Sequence, residues 1–213
     1  MGQDKIFAGL LGRPLLVWAV EPFQGCDRVN QIVIVLGVRN LERGQRLLRE
    51  YNWTKVTAIC AGGERRQDSV AEGLKRLEGC DWVVVHDGAR PCLTPELIDK
   101  GLAAARETGA AIPAVPVKDT IKLVSDDFVE RTPRRENLWA AQTPQVFRFE
   151  LLAQAHAEVS EKVSDDALMV EKLGHRVKVY PGSYTNIKVT TPEDLELAEI
   201  ILRRRISASR DRI

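Results

Sequence analysis

The chain reads as an α/β protein built on a doubly wound, mostly parallel sheet, and three observations support this. Val83-Val84-Val85 is a β-branched run with no polar break, the habit of a strand buried on both faces in a parallel sheet. Short apolar runs alternate with amphipathic segments about one crossover long, as βαβ units require. The central run then stops abruptly at His86-Asp87-Gly88-Ala89-Arg90-Pro91. In open α/β sheets, ligands sit beyond the carboxyl ends of the strands, so Asp87 and Arg90 are placed to face a crevice. These residues alone leave open a plainer role, a surface ion pair capping a loop.

In chain order, residues 14–23 form a helix with Pro14 at its first position and Leu15, Leu16, Trp18, Ala19 and Phe23 as its apolar contacts. QIVIVL (31–36) is a strand, 41–51 an amphipathic helix, and KVTAIC (55–60) a second strand ending in Ala61-Gly62-Gly63. A helix follows over 69–77, then the strand 82–85. Thr94-Pro95-Glu96 supplies an N-cap, an N1 proline and a first-turn acid for a helix to about Thr108. AAIPAVPV (110–117) is a strand whose two prolines suggest an edge or a distortion. Residues 120–124 and 128–132 flank Ser125-Asp126-Asp127 as a β-hairpin, either decoration or a dimerisation arm. Helices over 148–159 and 165–173 and a strand over 176–180 follow. Thr191-Pro192-Glu193-Asp194 then repeats the cap chemistry ahead of a closing helix, and the basic end, 203–213, reads as a solvated tail.

Composition narrows the function. The 213 residues suffice for one α/β domain with a full core, and 44% hydrophobic with 29% charged residues is ordinary for a soluble protein. A formal net charge of +1 gives no global pull towards nucleic acid or acidic membranes. No apolar run approaches the ~20 residues of a membrane span, and the first residues lack a secretory signal. Cys26, Cys60, Cys80 and Cys92 form no C-x-x-C pair, and His86, His156 and His175 form no ligand-spaced set. Reduced thiols in a cytoplasm are the simplest expectation.

Anion recognition must therefore be local. Lys5, Arg90, Arg135 and Lys188 each lie beside a predicted strand end or loop. Gly62-Gly63-Glu64-Arg65-Arg66-Gln67-Asp68-Ser69 follows a strand and opens a helix, where free N–H groups suit a planar base or an anion. The glycines alone are more simply read as a strand-to-helix turn. Thr143-Pro144-Gln145 is a second tight polar segment.

GGERRQDSV, VVVHDGARP, PVKDT, Arg135-Glu136-Asn137-Leu138-Trp139, QTPQVF, SDDA and NIKVTTPEDL occur in this order. Together they resemble the 2-C-methyl-D-erythritol 4-phosphate cytidylyltransferases of non-mevalonate isoprenoid synthesis, over nearly the whole chain. The resemblance implies a Rossmann-like nucleotidyltransferase three-layer fold, with helices on both faces of the sheet. It implies one domain over 1–213, with a β-arm at 118–142 that joins a homodimer. It also implies cytidylyl transfer from CTP to methylerythritol phosphate, with release of pyrophosphate. In that reaction two anions are forced together, so catalysis is mostly positioning and charge neutralisation. By resemblance, Lys5 stabilises charge on the α-phosphate, while Arg135 and Lys188 hold the sugar phosphate. Arg90, Thr120 and Thr143 help to seat that substrate. Gly63, Glu64 and Ser69 read the cytosine, and Asp87 and Gly88 meet the ribose. Mg²⁺ is expected on the triphosphate, bound mainly through phosphate oxygens. No nucleic-acid or membrane partner is implied.

One departure stands out. The family opens with a strand and a Gly-rich loop of the form A-A-G-x-G-x-R-M, and Met1-Gly2-Gln3-Asp4-Lys5 matches only the residues after its Arg. Met1 then corresponds to the Met of that motif, and the transition-state Arg is the residue before it. The absent strand lies mid-sheet in the family, so a gap in the hydrogen-bond ladder is expected. The natural protein is expected to be longer by about twenty residues, a strand plus a loop; an intact mass from the native cell beginning at Met1 would refute this. Two other functions remain to be weighed, a ribitol 5-phosphate cytidylyltransferase and a non-catalytic nucleotide-binding dimer. No G-x-G-x-x-G follows a strand, which disfavours a dinucleotide-dependent oxidoreductase.

Overall fold

A computed structural model describes residues 3–210. Met1, matched to the methionine of the loop motif, lies outside the described residues. A 3-10 turn (Gln3–Phe7) leads through a small ribbon, β1 (Gly9–Leu10) and β2 (Arg13–Pro14), into α1 (Leu15–Gln24). Then come β3 (Ile32–Leu36), α2 (Leu41–Glu50), β4 (Val56–Ala61), α3 (Arg66–Leu74), β5 (Trp82–Val85), α4 (Pro95–Ala105) and β6 (Ala110–Pro116). The hairpin strands β7 (Leu123–Ser125) and β8 (Phe128–Arg131) are followed by β9 (Trp139–Ala141) and β10 (Gln145–Arg148). The chain closes with α5 (Phe149–Glu158), α6 (Asp166–Lys172), β11 (Lys178–Pro181) and α7 (Pro192–Arg210).

The main sheet runs β11-β6-β10-β5, and β9 also pairs with β6. β11 is parallel to β6, whereas β10 lies antiparallel between β5 and β6. This insertion differs from the sequence reading, which gives Thr143-Pro144-Gln145 as a tight polar segment and assigns no strand there. β6 also differs from expectation: it is an interior strand, not an edge. Pro113 is tolerated because its carbonyl accepts from Gln142 N–H at 2.8 Å. Its missing donor therefore faces the junction of β9 and β10, where no ladder bond is needed.

Alternation of side chains fills two layers. Val83, Ala110, Ile112 and Phe147 pack with Leu74 of α3, Leu152 of α5 and Met169 of α6. Their neighbours Ala111 and Val146 turn to the opposite face, against Phe23 of α1 and Leu97 and Ile98 of α4. At Gly101 of α4, a Cβ would come 2.6 Å from Tyr180 Oη, so only glycine lets this helix settle on the sheet. α7 is seated by Ala198 and Leu202 against Leu10, Leu15 and Val189. It starts with a reciprocal cap in which Asp194 accepts from Thr191 N–H at 2.9 Å, as the TPED segment foretold.

β3 and β4 form a separate parallel pair. Among the described residues no strand pairs with the other edge of β3 or of β5, and a cavity of about 550 Å³ lies between them. This is the expected break in the ladder. It also explains a difference from the sequence reading: Val83 is buried, but Val84 and Val85 are only half-buried. The hairpin forms as expected. Asp126 and Asp127 both have positive φ (48° and 66°), the paired left-handed geometry that matches strand twist.

Candidate active site

The site grows from the end of β5. Asp87 is the first carboxylate beyond the strand, with only 14% of its side chain exposed, and three cations converge on it. Lys188 Nζ lies 2.9 Å from Asp87 Oδ2, Arg66 Nε 3.5 Å from Oδ1, and Arg90 Nε 3.6 Å from Oδ2. Burial pushes the Asp87 pKa up. The hydrogen bond and charge of Lys188, with Arg66 and Arg90, outweigh burial and hold the carboxyl below its ordinary 3.8.

Each cation has a structural reason for its place. Val189 is fully buried and donates its N–H to Ala89 O at 2.8 Å, which clamps Lys188 against the 87–90 loop. Arg90 Nη1 donates to Asn186 O at 2.8 Å, and burial lowers its pKa while Asp87 partly restores it. Its buried Nε has no hydrogen-bond acceptor. Arg66 opens α3 and donates through Nη1 to Asp166, whose side chain is fully buried and also meets His156 Nε2 at 3.2 Å. Burial pulls the Arg66 pKa down, but Asp166 and Asp87 raise it overall.

A neutral chain of hydrogen bonds fixes the loop from behind. His86 Nε2 is 3.1 Å from Arg90 O, and since a carbonyl only accepts, Nε2 carries the proton. Nδ1 then accepts from the Thr143 hydroxyl at 3.0 Å, and Thr143 Oγ1 accepts from Asp87 N–H at 3.0 Å. Burial of the imidazole pushes its pKa down to about 4. Asn186 Nδ2 donates to Thr143 O at 2.8 Å and so joins the Thr143 segment to the Lys188 segment.

Thus Asp87, Arg90, Thr143 and Lys188 are brought together, with Gly88 in the same loop. Ser69, near the start of α3, lines the cavity with Arg66, Asp87 and Gly88. Gly63 and Glu64 lie on the loop that leads into α3, both exposed. A Cβ at Gly63 would come 2.4 Å from Asp68 Cβ, so glycine is needed for this loop to fold onto the first helical turn. Lys5 lies on the Gln3–Phe7 turn, whose Ile6 borders the same cavity. Thr120 and Arg135 stand apart on the exposed segment around the hairpin, where Arg135 Nη1 donates to Lys118 O at 2.9 Å. No hydrogen bond or ion pair joins either to the Asp87 group.

Arg66, His86, His156, Asp166 and Asn186 were not singled out from sequence. Asp166 carried a faint signal as the second acid of SDDA; nothing separated Arg66 from Arg65.

A family model for 2-C-methyl-D-erythritol 4-phosphate cytidylyltransferase matches residues 1–204. The chain belongs to this family. Relatives of that name from Dehalococcoides mccartyi and Alkaliphilus oremlandii are 50% and 45% identical, over 95% and 96% of this chain and 90% of each relative. A crystal structure of 4-diphosphocytidyl-2C-methyl-D-erythritol synthase from Anaerococcus prevotii superposes with a TM-score of 0.85 at 31% identity, covering 94% of both chains. A 2-C-methyl-D-erythritol 4-phosphate cytidylyltransferase from Thermus thermophilus gives 0.81 at 34% identity, covering 95% of both. The chain therefore has the Rossmann-like nucleotidyltransferase fold of this cytidylyltransferase family, and it is a nucleotidyltransferase. No helix among the described residues is long and apolar enough to cross a membrane.

Proposed function

We propose that the Asp87 group is where this cytidylyltransferase moves a cytidylyl group from CTP to 2-C-methyl-D-erythritol 4-phosphate. The products are 4-diphosphocytidyl-2-C-methyl-D-erythritol, an isoprenoid precursor, and pyrophosphate. One observation carries the assignment: Lys188, Arg90 and Arg66 meet on one carboxylate just past the carboxyl end of β5. Three cations converging beside Asp87 and Asp166 offer donors that can exchange a carboxylate for a phosphate. Arg90 Nε, 3.6 Å from Asp87 Oδ2 and without a closer acceptor, adds a donor there.

In the reaction, an oxygen of the sugar phosphate attacks the α-phosphorus of CTP. The new P–O bond forms as the bond to the β-phosphate oxygen breaks, and pyrophosphate departs with the electron pair. Lys188 is 43% exposed and can exchange Asp87 for the sugar phosphate, orienting it for in-line attack. Arg90 and Thr143 seat the same substrate from the floor of the site. Asp87 and Gly88 meet the ribose, and Gly63, Glu64 and Ser69 read the cytosine. Lys5 neutralises charge on the α-phosphate. Mg²⁺ would be held mainly by phosphate oxygens, since Asp87 is already paired with Lys188 and Asp166 with Arg66, and it would supply charge neutralisation on the triphosphate.

Thr120 and Arg135 complete the site of a partner subunit. The arm at 118–142 is the homodimer contact, and the apolar side chains it leaves in water support this. Phe128 is 78% exposed, and Val124, Val129 and Trp139 are exposed beside it. Cytoplasmic residence accords with the four free cysteines. Ribitol 5-phosphate is not favoured, since the family model and both of the relatives named carry the methylerythritol name.

Turnover of CTP with each sugar phosphate tests the assignment. Pyrophosphate release with methylerythritol phosphate, lowered roughly 10–100-fold in Lys188→Ala, is the expected result. Release that is indifferent to Lys188 would overturn the placement of the site.

A further inference from the structure

We infer that Gln142 is a positioning residue for the reaction, acting on the sugar phosphate only through Lys188, whose place it sets. This rests on the role proposed above for Lys188. The Lys188 ammonium has to meet a phosphate at hydrogen-bond distance, yet it is carried by residues 182–190, which form neither helix nor strand. No ladder of backbone hydrogen bonds fixes such a stretch, so its place depends on single tethers. Downstream of Lys188 the tether is Val189 N–H, which donates to Ala89 O at 2.8 Å. Upstream it is one buried amide.

Gln142 is 7% exposed at the junction of β9 and β10, where its main-chain N–H donates to Pro113 O at 2.8 Å and fixes its own position. Its side chain then grips the main chain of Ser183 at both polar groups. Nε2 donates to Ser183 O at 2.8 Å, and Oε1 accepts from Ser183 N–H at 3.2 Å. Hydrogen-bonded pairs across an antiparallel sheet exchange the same two bonds, so the amide stands in for a partner strand. Oε1 also lies 3.4 Å from Asn186 Nδ2, the group that bonds Thr143 O. The approach is close: a Cβ at Gly182 would come 2.6 Å from Oε1. Only a primary amide serves both ends of this grip. A carboxylate would set a second acceptor against Ser183 O, and an ammonium would set a donor against Ser183 N–H. Ser183 is half-buried, so water could serve its N–H and C=O in place of Gln142. What the amide adds is a fixed position. With Ser183 and Asn186 held upstream and Val189 downstream, the Lys188 backbone is confined and its ammonium is delivered 2.9 Å from Asp87.

The test is a double-mutant cycle in the full chain between Gln142→Met, which keeps the volume and removes both bonds, and Lys188→Ala. Pyrophosphate release is followed with CTP and methylerythritol phosphate each varied in turn, and CTP binding is measured separately by calorimetry. Gln142→Met alone should lower kcat/KM for methylerythritol phosphate about tenfold, the scale of a small misplacement at a reacting group. The Kd for CTP should change much less. In the Lys188→Ala background the same substitution should cost less than about twofold, because a side chain already removed has no position to lose. Gln142→Glu keeps the shape and the acceptor for Ser183 N–H, so it should fall between wild type and Gln142→Met. It replaces Gln142→Met in the cycle if that variant does not fold. An unchanged kcat/KM in Gln142→Met would overturn the inference. So would an equal loss with and without Lys188, which would send the effect through Thr143 or through stability, or equal weakening towards both substrates. In each of these cases a large loss in Lys188→Ala leaves the catalytic assignment standing. Turnover unaffected by Lys188→Ala would overturn that assignment and this inference together.

Discussion

Replacing Lys188 by alanine removes a cation that stands 2.9 Å from Asp87 with 43% of its side chain exposed. That exposure limits the structural cost. A solvent-screened pair contributes at most about 1 kcal/mol to stability, and Asp87 keeps Arg66 at 3.5 Å and Arg90 at 3.6 Å. The functional cost is larger. A hydrogen bond to a charged group contributes about 1.5–3 kcal/mol, so losing the grip on the sugar phosphate lowers kcat/KM for methylerythritol phosphate by roughly 10–100-fold. The KM for CTP should change much less, because Gly63, Glu64 and Ser69, assigned to the cytosine, do not touch Lys188, and Asp87, assigned to the ribose, keeps Arg66 and Arg90. Pyrophosphate release with each substrate varied in turn, together with a thermal melt, separates the two effects. Lys188→Arg should recover part of the loss. Equal weakening towards both substrates, or a fall in activity matched by a melting shift of many degrees, would refute the assigned role.

Three further outcomes follow from the same geometry. Arg66→Met strands the fully buried Asp166 with His156 alone; urea unfolding should show a loss of about 3 kcal/mol, and a loss below about 1 kcal/mol would contradict it. His86 is held neutral in the fold, its pKa near 4 against 6.5 when unfolded, so the unfolded chain binds the extra proton. Its contribution is therefore complete above about pH 6.5 and fades as the pH falls towards 4, by up to about 3 kcal/mol. His86→Gln should flatten that part of the stability–pH curve, and an unchanged slope between pH 4 and 6.5 would count against it. Phe128→Asp combined with Val129→Asp places two charges on the arm, and sedimentation should show monomers in place of dimers; a persistent dimer would remove the arm from the interface.

Strands β3, β4 and β5 were legible because their β-branched runs have no polar break and are bounded by turn residues. β10 was not. Gln145 is polar yet 1% exposed, its amide donating to Asp165 and its carbonyl accepting from Ala167 N–H. A polar residue buried with tertiary partners has no local signature. α3 begins three residues before the sequence reading because Arg65 N–H donates to the Asp68 carboxylate and starts the helix there. The site shows the same division. Asp87 and Arg90 stood out at the end of an apolar run, but only the family resemblance joined them to Lys188, which the fold brings in through Val189 and Ala89. Arg65 and Arg66 are neighbours of one type. Helix phase turns the first outward to Asp68 and the second inward to Asp166. That choice depends on α6, held to β10 by Gln145 and Asp165, and no window around residue 66 contains it.

Pyrophosphate release from CTP and Mg²⁺ by the full chain, with methylerythritol phosphate and ribitol 5-phosphate compared side by side, is the most direct test of the catalytic assignment. Turnover with methylerythritol phosphate, lowered roughly 10–100-fold on removal of Lys188, is the predicted result. Preference for ribitol 5-phosphate, or CTP binding without release from either substrate, would contradict it.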